Sequence, residues 1–305
     1  MIGAKRIFDV LWMMRAATIG CEPPFRKSAM EAPDEKKFNP YQAPVVASAA
    51  IAADSNGAIY VKGGRTVDAG SGLEWITAAW RLFVEAPMMW IVMIVLYAMF
   101  YVVLAILPGI GSLLGYVLYG VIGAGWLAAA HAVAQGEKLE IDLLFAGFKS
   151  KTGPLFVLGA IYAGGLIAIL LLMAIFLAIG LGTSGAIGAI LSGDSSQLAS
   201  IAGASIVTFM FAALVGLALL APLLMALWFA PALVYFHSEP PLDALKISFF
   251  ACLANMLPFL VYGVVMVILV VLAVIPLMLG FLVVGPLALI SSYTSYRAVF
   301  VEGTR

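Results

Sequence analysis

The sequence predicts an all-α integral membrane protein with six transmembrane helices, arranged as three hairpins that each follow an amphipathic interfacial helix. Three observations predict this fold class. First, 64% of the 305 residues are hydrophobic and 10% are charged, whereas a soluble domain carries about 25% charged residues. Second, apolar runs of about 20 residues, the length that crosses a bilayer, recur after residue 86. Third, the charged residues in that part of the chain are confined to a few short segments.

Residues 1–70 differ in composition from the rest of the chain and are predicted to form a largely disordered cytoplasmic segment. A charge run at residues 31–37 and a stretch of small residues at 43–53 leave too little apolar surface for a core. Nine of the sixteen Lys and Arg residues lie before residue 66. A short strand could form at residues 58–61, which glycines flank.

The membrane domain, residues 71–305, is predicted to open with a helix that lies in the membrane interface. From residue 73 to Pro87 the apolar side chains recur at helical spacing, opposite the polar ones. The apolar set is Leu73, Ile76, Trp80, Phe83 and Val84, and the polar set is Glu74, Thr77, Arg81 and Glu85. An almost uncharged run begins at Pro87, so this interfacial helix is expected to lead directly into a span.

Six apolar runs are long enough to be spans, and three of them follow an amphipathic segment. The runs cover residues 87–107, 111–131, 154–180, 201–236, 257–275 and 281–300. The amphipathic segments are residues 73–86, 135–153 and 240–256. The fourth run exceeds the roughly 20 residues that a bilayer requires. We therefore expect Pro222 and Pro231 to kink it, or its end to run along the interface.

The order of these segments predicts a threefold repeat of an interfacial helix and a membrane hairpin. Pro87, Pro154 and Pro258 each follow an amphipathic segment and open a span. Each such span pairs with the next through an outer loop, the second of which, residues 182–200, is rich in Gly and Ser. Residue identity between the copies is low, and outward-running spans often have an amphipathic lead-in. The sequence therefore leaves open whether the repeat is genuine.

Basic residues indicate the orientation. After residue 66 there are seven, and in a six-span topology all of them fall on one side, while the three opposite loops contain none. The seven are Arg81, Lys138, Lys149, Lys151, Lys246, Arg297 and Arg305. Because basic loops stay in the cytoplasm, both the N-terminus and the C-terminus are predicted to be cytoplasmic.

Charge placement also limits the function. No Lys, Arg, Asp or Glu lies deep inside a predicted span, which argues against a proton- or sodium-driven transporter. The sequence shows no nucleophile–base constellation, metal motif or nucleotide fingerprint, so we expect no enzyme activity, no cofactor and no metal site. A net charge of zero gives no general attraction to nucleic acid. Two functions remain: a non-enzymatic component that packs against lipids, a partner protein or a second copy of itself, and a transporter or permease for a small or apolar solute.

Three residues near the predicted inner ends of spans are candidates for a polar site. His131 and His237 stand at equivalent places, each where a span returns to the cytoplasmic side. They could share a metal ion or a proton. Alternatively, they could lie at the interface only because a histidine ring is amphipathic. Asn255 lies three residues before Pro258, where it could bind a substrate or cap the following helix.

Two aromatic–arginine pairs are candidates for lipid contact. Trp80 and Arg81 lie on the first interfacial helix, and Tyr296 and Arg297 lie at the inner end of the last span. Arg297 could bind an anionic headgroup, while Arg beside Tyr at a membrane boundary is also ordinary anchoring.

Glycines in the second span form a further pattern. Gly111, Gly115 and Gly123 lie at multiples of four residues, roughly on one helix face. Small residues let helices approach closely, so this face is predicted to pack against another helix rather than to line a pore.

Three passages carry aromatic and proline residues in a distinctive order: residues 39–44 (NPYQAP), 72–91 (GLEWITAAWRLFVEAPMMWI) and 276–286 (PLMLGFLVVGP). They resemble the corresponding parts of a family of uncharacterised multi-pass inner-membrane proteins from proteobacteria. The resemblance covers residues 39–44 and 72–300; it implies the six-span topology and a bacterial inner-membrane location, and it implies no activity. Residues 1–29 lie outside it, which favours a translation start at Met30 over one at Met1.

Overall fold

The structure is a computed structural model that describes residues 59–183, 192 and 195–302. Within these residues it is almost wholly helical. The α-helices are α1 (Ser71–Glu85), α2 (Pro87–Ala105), α3 (Ile110–Ala134), α4 (Ala146–Lys149), α5 (Thr152–Thr183), α6 (Ser195–Trp228), α7 (Ala230–His237), α8 (Pro241–Ala254), α9 (Met256–Val274) and α10 (Phe281–Phe300). A 3₁₀-helix covers Ile141–Phe145, and the strands are β1 (Ile59–Tyr60) and β2 (Val301–Glu302). The all-α fold class is confirmed.

Five stretches of helix are long and apolar enough to cross a membrane. They are Pro87–Ala105, Ile110–Ala134, Thr152–Gly180, Ile206–His237 and Met256–Val274. They correspond to the first five predicted spans. The sixth predicted span is α10, which has 20 residues but carries serines, tyrosines and an arginine in its C-terminal half that lower its hydropathy.

Helices α3 and α10 lie inside the bundle, and the other long helices surround them. In the most apolar window of α3, 61% of the residues are buried, compared with 17% for α2 and for α9 and 6% for α5. Helix α10 contacts α1, α2, α3 and α9, and α3 contacts α5. The outer helices expose many Leu, Ile and Val side chains. A bilayer can cover this surface without leaving any polar group unsatisfied, because the backbone groups are bonded within the helices.

Close backbone contact joins α3 to α5. A Cβ atom added to Gly159 would lie 1.7 Å from the carbonyl oxygen of Val117, and one added to Gly120 would lie 2.4 Å from that of Leu155. The predicted glycine face faces another element: Gly111 and Gly115 approach α2, whereas Gly123 faces Pro231 at an ordinary distance of 3.8 Å. The glycines that limit the α3–α5 contact are not those of the predicted face: Gly120 lies elsewhere on α3, and Gly159 lies on α5.

The predicted interfacial helix is present as α1, and its apolar residues differ in burial. Ile76 and Phe83 are buried together with Trp75, while Leu73, Trp80 and Val84 are about half exposed. Trp75 packs edge-on against Phe259 of α9, with ring centroids 5.0 Å apart. The predicted apolar side is therefore divided: part of it packs on the protein, and part remains exposed beside the charged side chains.

The segment before α1 crosses the end of α10. Strand β1 pairs antiparallel with β2, so that Tyr60 lies opposite Val301, which agrees with the strand predicted at residues 58–61. The Arg65 amide donates to the carbonyl of Val299 at 2.9 Å. Within the segment predicted as largely disordered, residues 59–70 are therefore held by contacts with the membrane domain. Residues 1–58, which include Met30 and the passage at 39–44, lie outside the described residues, as does most of the loop predicted at 182–200.

Candidate functional site at the basic end of the bundle

The C-terminal half of α10 lies among the ends of several helices. The contacts around it bring together the ends of α3 and α7, the start of α2, and helices α1 and α8. We call this part of the molecule the basic end, because Arg65, Arg81, Lys246 and Arg297 belong to the segments that meet there.

The two predicted histidines each bind a tyrosine of α10. His131 Nδ1 lies 3.0 Å from the hydroxyl of Tyr293, and His237 Nε2 hydrogen bonds with the hydroxyl of Tyr296. The two tyrosines are three residues apart, which places them on the same side of α10. His131 and His237 thus occupy equivalent positions at the ends of α3 and α7, as the sequence predicts.

Tyr60 covers this pair of contacts from the N-terminal side. Its ring stacks on His237 with centroids 3.6 Å apart and planes 14° from parallel. Its hydroxyl donates to Glu239 Oε1 at 3.4 Å, and the Lys62 ammonium lies 3.4 Å from the same oxygen. Burial, the negative charge of Glu239 and that hydrogen bond all raise the pKa of Tyr60. The hydroxyl therefore stays protonated and remains a donor.

Aromatic rings surround the histidine–tyrosine contacts. Phe236 stacks on Tyr296 at 5.4 Å and lies 5.2 Å from the ring of His131, so it stands between the two hydrogen-bonded pairs. Tyr296 in turn stacks on Phe300 at 6.0 Å. Within the described residues no three His, Cys, Asp or Glu side chains lie close enough together to hold a metal ion.

Asn255 does not cap the helix that follows it. Its side chain is 1% exposed, and it makes no capping bond to α9. Its amide nitrogen donates to the carbonyls of Arg65, at 3.0 Å, and Ala251, at 2.8 Å. Its amide oxygen accepts from the Val67 amide at 2.8 Å. The helix-cap explanation is therefore wrong: Asn255 fastens residues 65–67 to the α8–α9 junction.

The predicted lipid-contact residues fall in two different environments. Trp80 and Arg81 are exposed on α1, in keeping with an interfacial position. Tyr296 is only 4% exposed and hydrogen bonds with His237, so its ring belongs to the protein interior and is not available to lipid. The Arg297 guanidinium lies 6.0 Å from the centre of the Tyr293 ring, within the range of a cation–π interaction.

A break separates α6 from α7 at Phe229, within the run predicted to be kinked. Ser248 of α8, which is fully buried, enters the break: its hydroxyl accepts from the Phe229 amide at 3.0 Å and donates to the Met225 carbonyl at 2.7 Å. In an unbroken helix these two backbone groups would bond to each other. The hydroxyl thus satisfies both buried groups while holding them apart.

Pro231 explains the position of the break. It has no amide hydrogen, so the Leu227 carbonyl, four residues earlier, cannot form its helical bond. The Tyr119 hydroxyl donates to that carbonyl at 3.3 Å. Pro222, in contrast, lies inside α6 without ending it. The prediction of a kink is thus confirmed at Pro231. Side chains from α8 and α3 also take part in the break, because they bond the backbone groups that it leaves without helical partners.

Cys252 lies beside the same break. It is buried, and its thiol donates to the Met225 carbonyl at 3.4 Å. Burial raises the pKa of the thiol to about 12. The thiol is therefore protonated at physiological pH and unreactive as a nucleophile.

Five tyrosines of α2, α3 and α5 that were not predicted as a group from the sequence are brought together in the structure. We call Tyr97, Tyr101, Tyr116, Tyr119 and Tyr162 the tyrosine cluster. Ring centroids lie 4.8 Å apart for Tyr97 and Tyr101, 5.0 Å for Tyr119 and Tyr162, and 5.4 Å for Tyr116 and Tyr162. The signal was present, because tyrosines four apart in α2 and three apart in α3 share a helix face.

Comparison with known proteins gives one informative match. The chain is 31% identical over 197 residues to a probable inner membrane protein of Burkholderia thailandensis, a match that covers 65% of this chain and 72% of that protein. No family model matches the chain, and no solved structure matches it. The similarity shows an inner-membrane protein from a proteobacterial family, and it names no activity.

Proposed function

Because the chain belongs to the family of the Burkholderia probable inner membrane protein, we propose that it is a six-span, non-enzymatic component of the bacterial inner membrane that packs against lipids or partner proteins. Its three interfacial segments lie on the cytoplasmic side. Three parts of the molecule support this proposal: α10, the basic end and α1.

Helix α10 is the sixth span in this proposal. It has 20 residues, about 30 Å of helix, which matches the hydrocarbon core. Its polar half does not need water, because its hydroxyls have partners inside the bundle: Thr294 donates to the Trp75 carbonyl at 2.8 Å and Ser291 to the Leu287 carbonyl at 2.6 Å. A buried helix of low hydropathy can cross the membrane when its neighbours cover it.

The spans pair as three hairpins. Helix α2 contacts α3, α5 contacts α6, and α9 contacts α10. In each pair an interfacial segment comes first: α1, the 3₁₀-helix with α4, and α8. Since the basic residues belong to the end where these segments meet, the positive-inside rule supports cytoplasmic termini.

The observation that carries the functional proposal is the set of exposed faces on α1. One face is anchored in the protein, where Gly72 comes so close to the Pro258 carbonyl that a Cβ would lie 2.1 Å from it. A second face exposes Leu73, Trp80 and Val84, and the charges lie beside it. A rigidly held helix that exposes apolar side chains next to charges is suited to binding a membrane interface or another membrane protein.

Purification in mild detergent followed by native mass spectrometry tests this function. We expect wild-type protein to retain a stoichiometric protein partner or anionic lipid, and a Leu73→Ser, Trp80→Ser, Val84→Ser variant to lose it. A Thr77→Ser variant, changed on the same exposed side of α1, serves as the matched control and should retain it. A wild-type protein that carries neither lipid nor partner contradicts the proposal.

The break between α6 and α7 favours transport as the second candidate function. Transporter sites are often built at interrupted helices within the membrane, and here a serine from another helix holds the interruption open. In liposomes, stopped-flow swelling with small neutral solutes such as glycerol and urea measures this activity directly. Permeability above that of protein-free liposomes supports transport, and equal permeability argues against it for these solutes.

A further inference from the structure

Three members of the tyrosine cluster lie near the middle of the membrane, while Tyr101 and Tyr116 lie nearer its outer side. Tyr97 is ten residues beyond the start of α2, and Tyr162 is ten residues beyond the start of α5. Tyr119 is nine residues beyond the start of α3, which begins at the opposite end. At 1.5 Å per residue these positions are about 14–15 Å deep, half of a hydrocarbon core of about 30 Å. The usual interfacial role of tyrosine therefore does not explain them.

Hydroxyl groups at this depth are costly unless they are bonded. The Tyr119 hydroxyl has the Leu227 carbonyl, but those of Tyr116 and Tyr162 have no hydrogen-bond partner among the described residues. Tyr116 is 37% exposed, so its polar group reaches the lipid-facing side of the bundle. A neutral hydroxyl in hydrocarbon without a partner costs roughly 2–7 kcal/mol, depending on the reference state.

A second donor without a partner lies next to the cluster. The indole nitrogen of Trp126 is buried and makes no hydrogen bond, and the whole residue is 2% exposed. Its ring meets Tyr97 edge-on with centroids 5.9 Å apart. The groups without partners in this region are thus aromatic donors: Tyr116 and Tyr162 are in ring contact with each other, and Trp126 joins the cluster through Tyr97.

These donors define the chemistry of a ligand. It must offer hydrogen-bond acceptors, and it must be uncharged, since α2, α3 and α5 contain no Lys, Arg, Asp or Glu and a lone charge is expensive at this depth. Phospholipid ester carbonyls lie at the interface, about 15 Å away from the middle of the core. A flat ring fits the exposed tyrosine faces, which favour stacked or edge-on contact.

We propose that the tyrosine cluster binds a neutral, membrane-dissolved molecule whose flat ring carries carbonyl acceptors, the chemistry of a quinone. The ring carbonyls accept hydrogen bonds from Tyr116 and Tyr162, and the ring packs against the tyrosine faces. The ligand enters sideways from the bilayer, where Tyr116 is exposed.

Fluorescence quenching in lipid nanodiscs tests this site, because quinone rings quench nearby tryptophans and Trp126 adjoins the cluster. The probe is a benzoquinone with a ten-carbon alkyl tail. We expect saturable quenching, with the affinity reduced about fivefold in each of Tyr116→Phe and Tyr162→Phe, the loss expected for one hydrogen bond. Both variants keep the ring and remove a hydroxyl that has no protein partner, so they should fold as well as wild type.

Two controls separate this site from simple partition into lipid. Tyr262→Phe, a change in α9 outside the cluster, should leave the affinity unchanged. An alkylbenzene with the same tail, which lacks the carbonyls, should not compete with the quinone. Quenching that rises without saturation, or that saturates in Tyr116→Phe and Tyr162→Phe with the wild-type affinity, overturns the proposal.

Discussion

At the scale of single residues, Asn255 shows how one buried amide can hold a segment against a membrane bundle. Replacement by Ala removes the bonds to the Arg65 carbonyl and the Val67 amide and leaves both groups without their partner. Each lost buried partner costs about 1–3 kcal/mol. We therefore expect Asn255→Ala to open residues 59–67 locally, which trypsin reports by cutting after Lys62 or Arg65 about tenfold faster than in wild type.

The control for this variant lies on α8, the helix that ends just before Asn255. Asp243 pairs with Lys246 at 3.9 Å on the exposed side of α8, and exposed pairs of this kind contribute little stability. Asp243→Asn should therefore leave the cleavage rate unchanged. Equal cleavage rates for Asn255→Ala and wild type would show that the strand pairing alone holds the segment.

Cys252 gives a prediction about pH. Because burial raises the pKa of its thiol to about 12, the thiolate fraction at pH 8 is about a thousandfold lower than for a thiol with a pKa near 9. In a Cys21→Ser background we expect iodoacetamide to leave Cys252 unmodified in the folded protein at pH 8, and to modify it fully in SDS. Mass spectrometry measures the outcome, and rapid modification of the folded protein at pH 8 would contradict the burial of Cys252.

At the scale of elements, the α6–α7 break depends on Ser248 of another helix. Ser248→Ala leaves the Phe229 amide and the Met225 carbonyl without the hydroxyl between them, a loss of about 1–3 kcal/mol for each group. We expect a thermal unfolding midpoint in detergent several degrees below that of wild type. Ser292→Ala, which removes a bond to the Leu289 carbonyl within its own helix, is the control. If the two variants are equally stable, Met225 and Phe229 have paired directly and the break has closed.

The contact between α3 and α5 depends on glycines, because there is no room for a side chain where the two backbones meet. The backbone of Val117 occupies the space where a side chain at Gly159 would lie, so Gly159→Leu must push the helices apart. Gly164, five residues further along α5, has open space beside it. We expect fluorescence-detected size-exclusion chromatography to show loss of the monodisperse peak for Gly159→Leu and its retention for Gly164→Leu. A normal peak for Gly159→Leu would mean that the two helices do not approach each other this closely.

At the scale of the whole molecule, composition and hydropathy predicted the helices well but not their neighbours. The five spans were predictable, since each is an apolar run of sufficient length. The burial of Trp75 was not predictable. In the helical pattern Trp75 lies between the apolar side and the side that carries Glu74, and only its contact with α9 shows that it is buried. The partners of His131 and Asn255 were also unpredictable, since they lie 162 and up to 190 residues away along the chain.

Hydropathy alone does not identify α10 as a span. The six-span topology therefore depends also on the neighbouring helices that cover its polar half. If α10 crosses the membrane, the turn before it, where Leu277 is 90% exposed, lies outside, and the residue after it, the exposed Glu302, lies inside. In a background without Cys21 and Cys252, we expect Leu277→Cys to react with a membrane-impermeant maleimide in intact cells and Glu302→Cys to react only after the membrane is opened. Ser112→Cys, at the exposed start of α3, is the matched outside control, because the α2–α3 turn does not depend on α10. Reaction of Leu277→Cys and Glu302→Cys from the same side would leave α9 as the last span and place the C-terminus outside, which would also separate it from the cytoplasmic segment that contains β1.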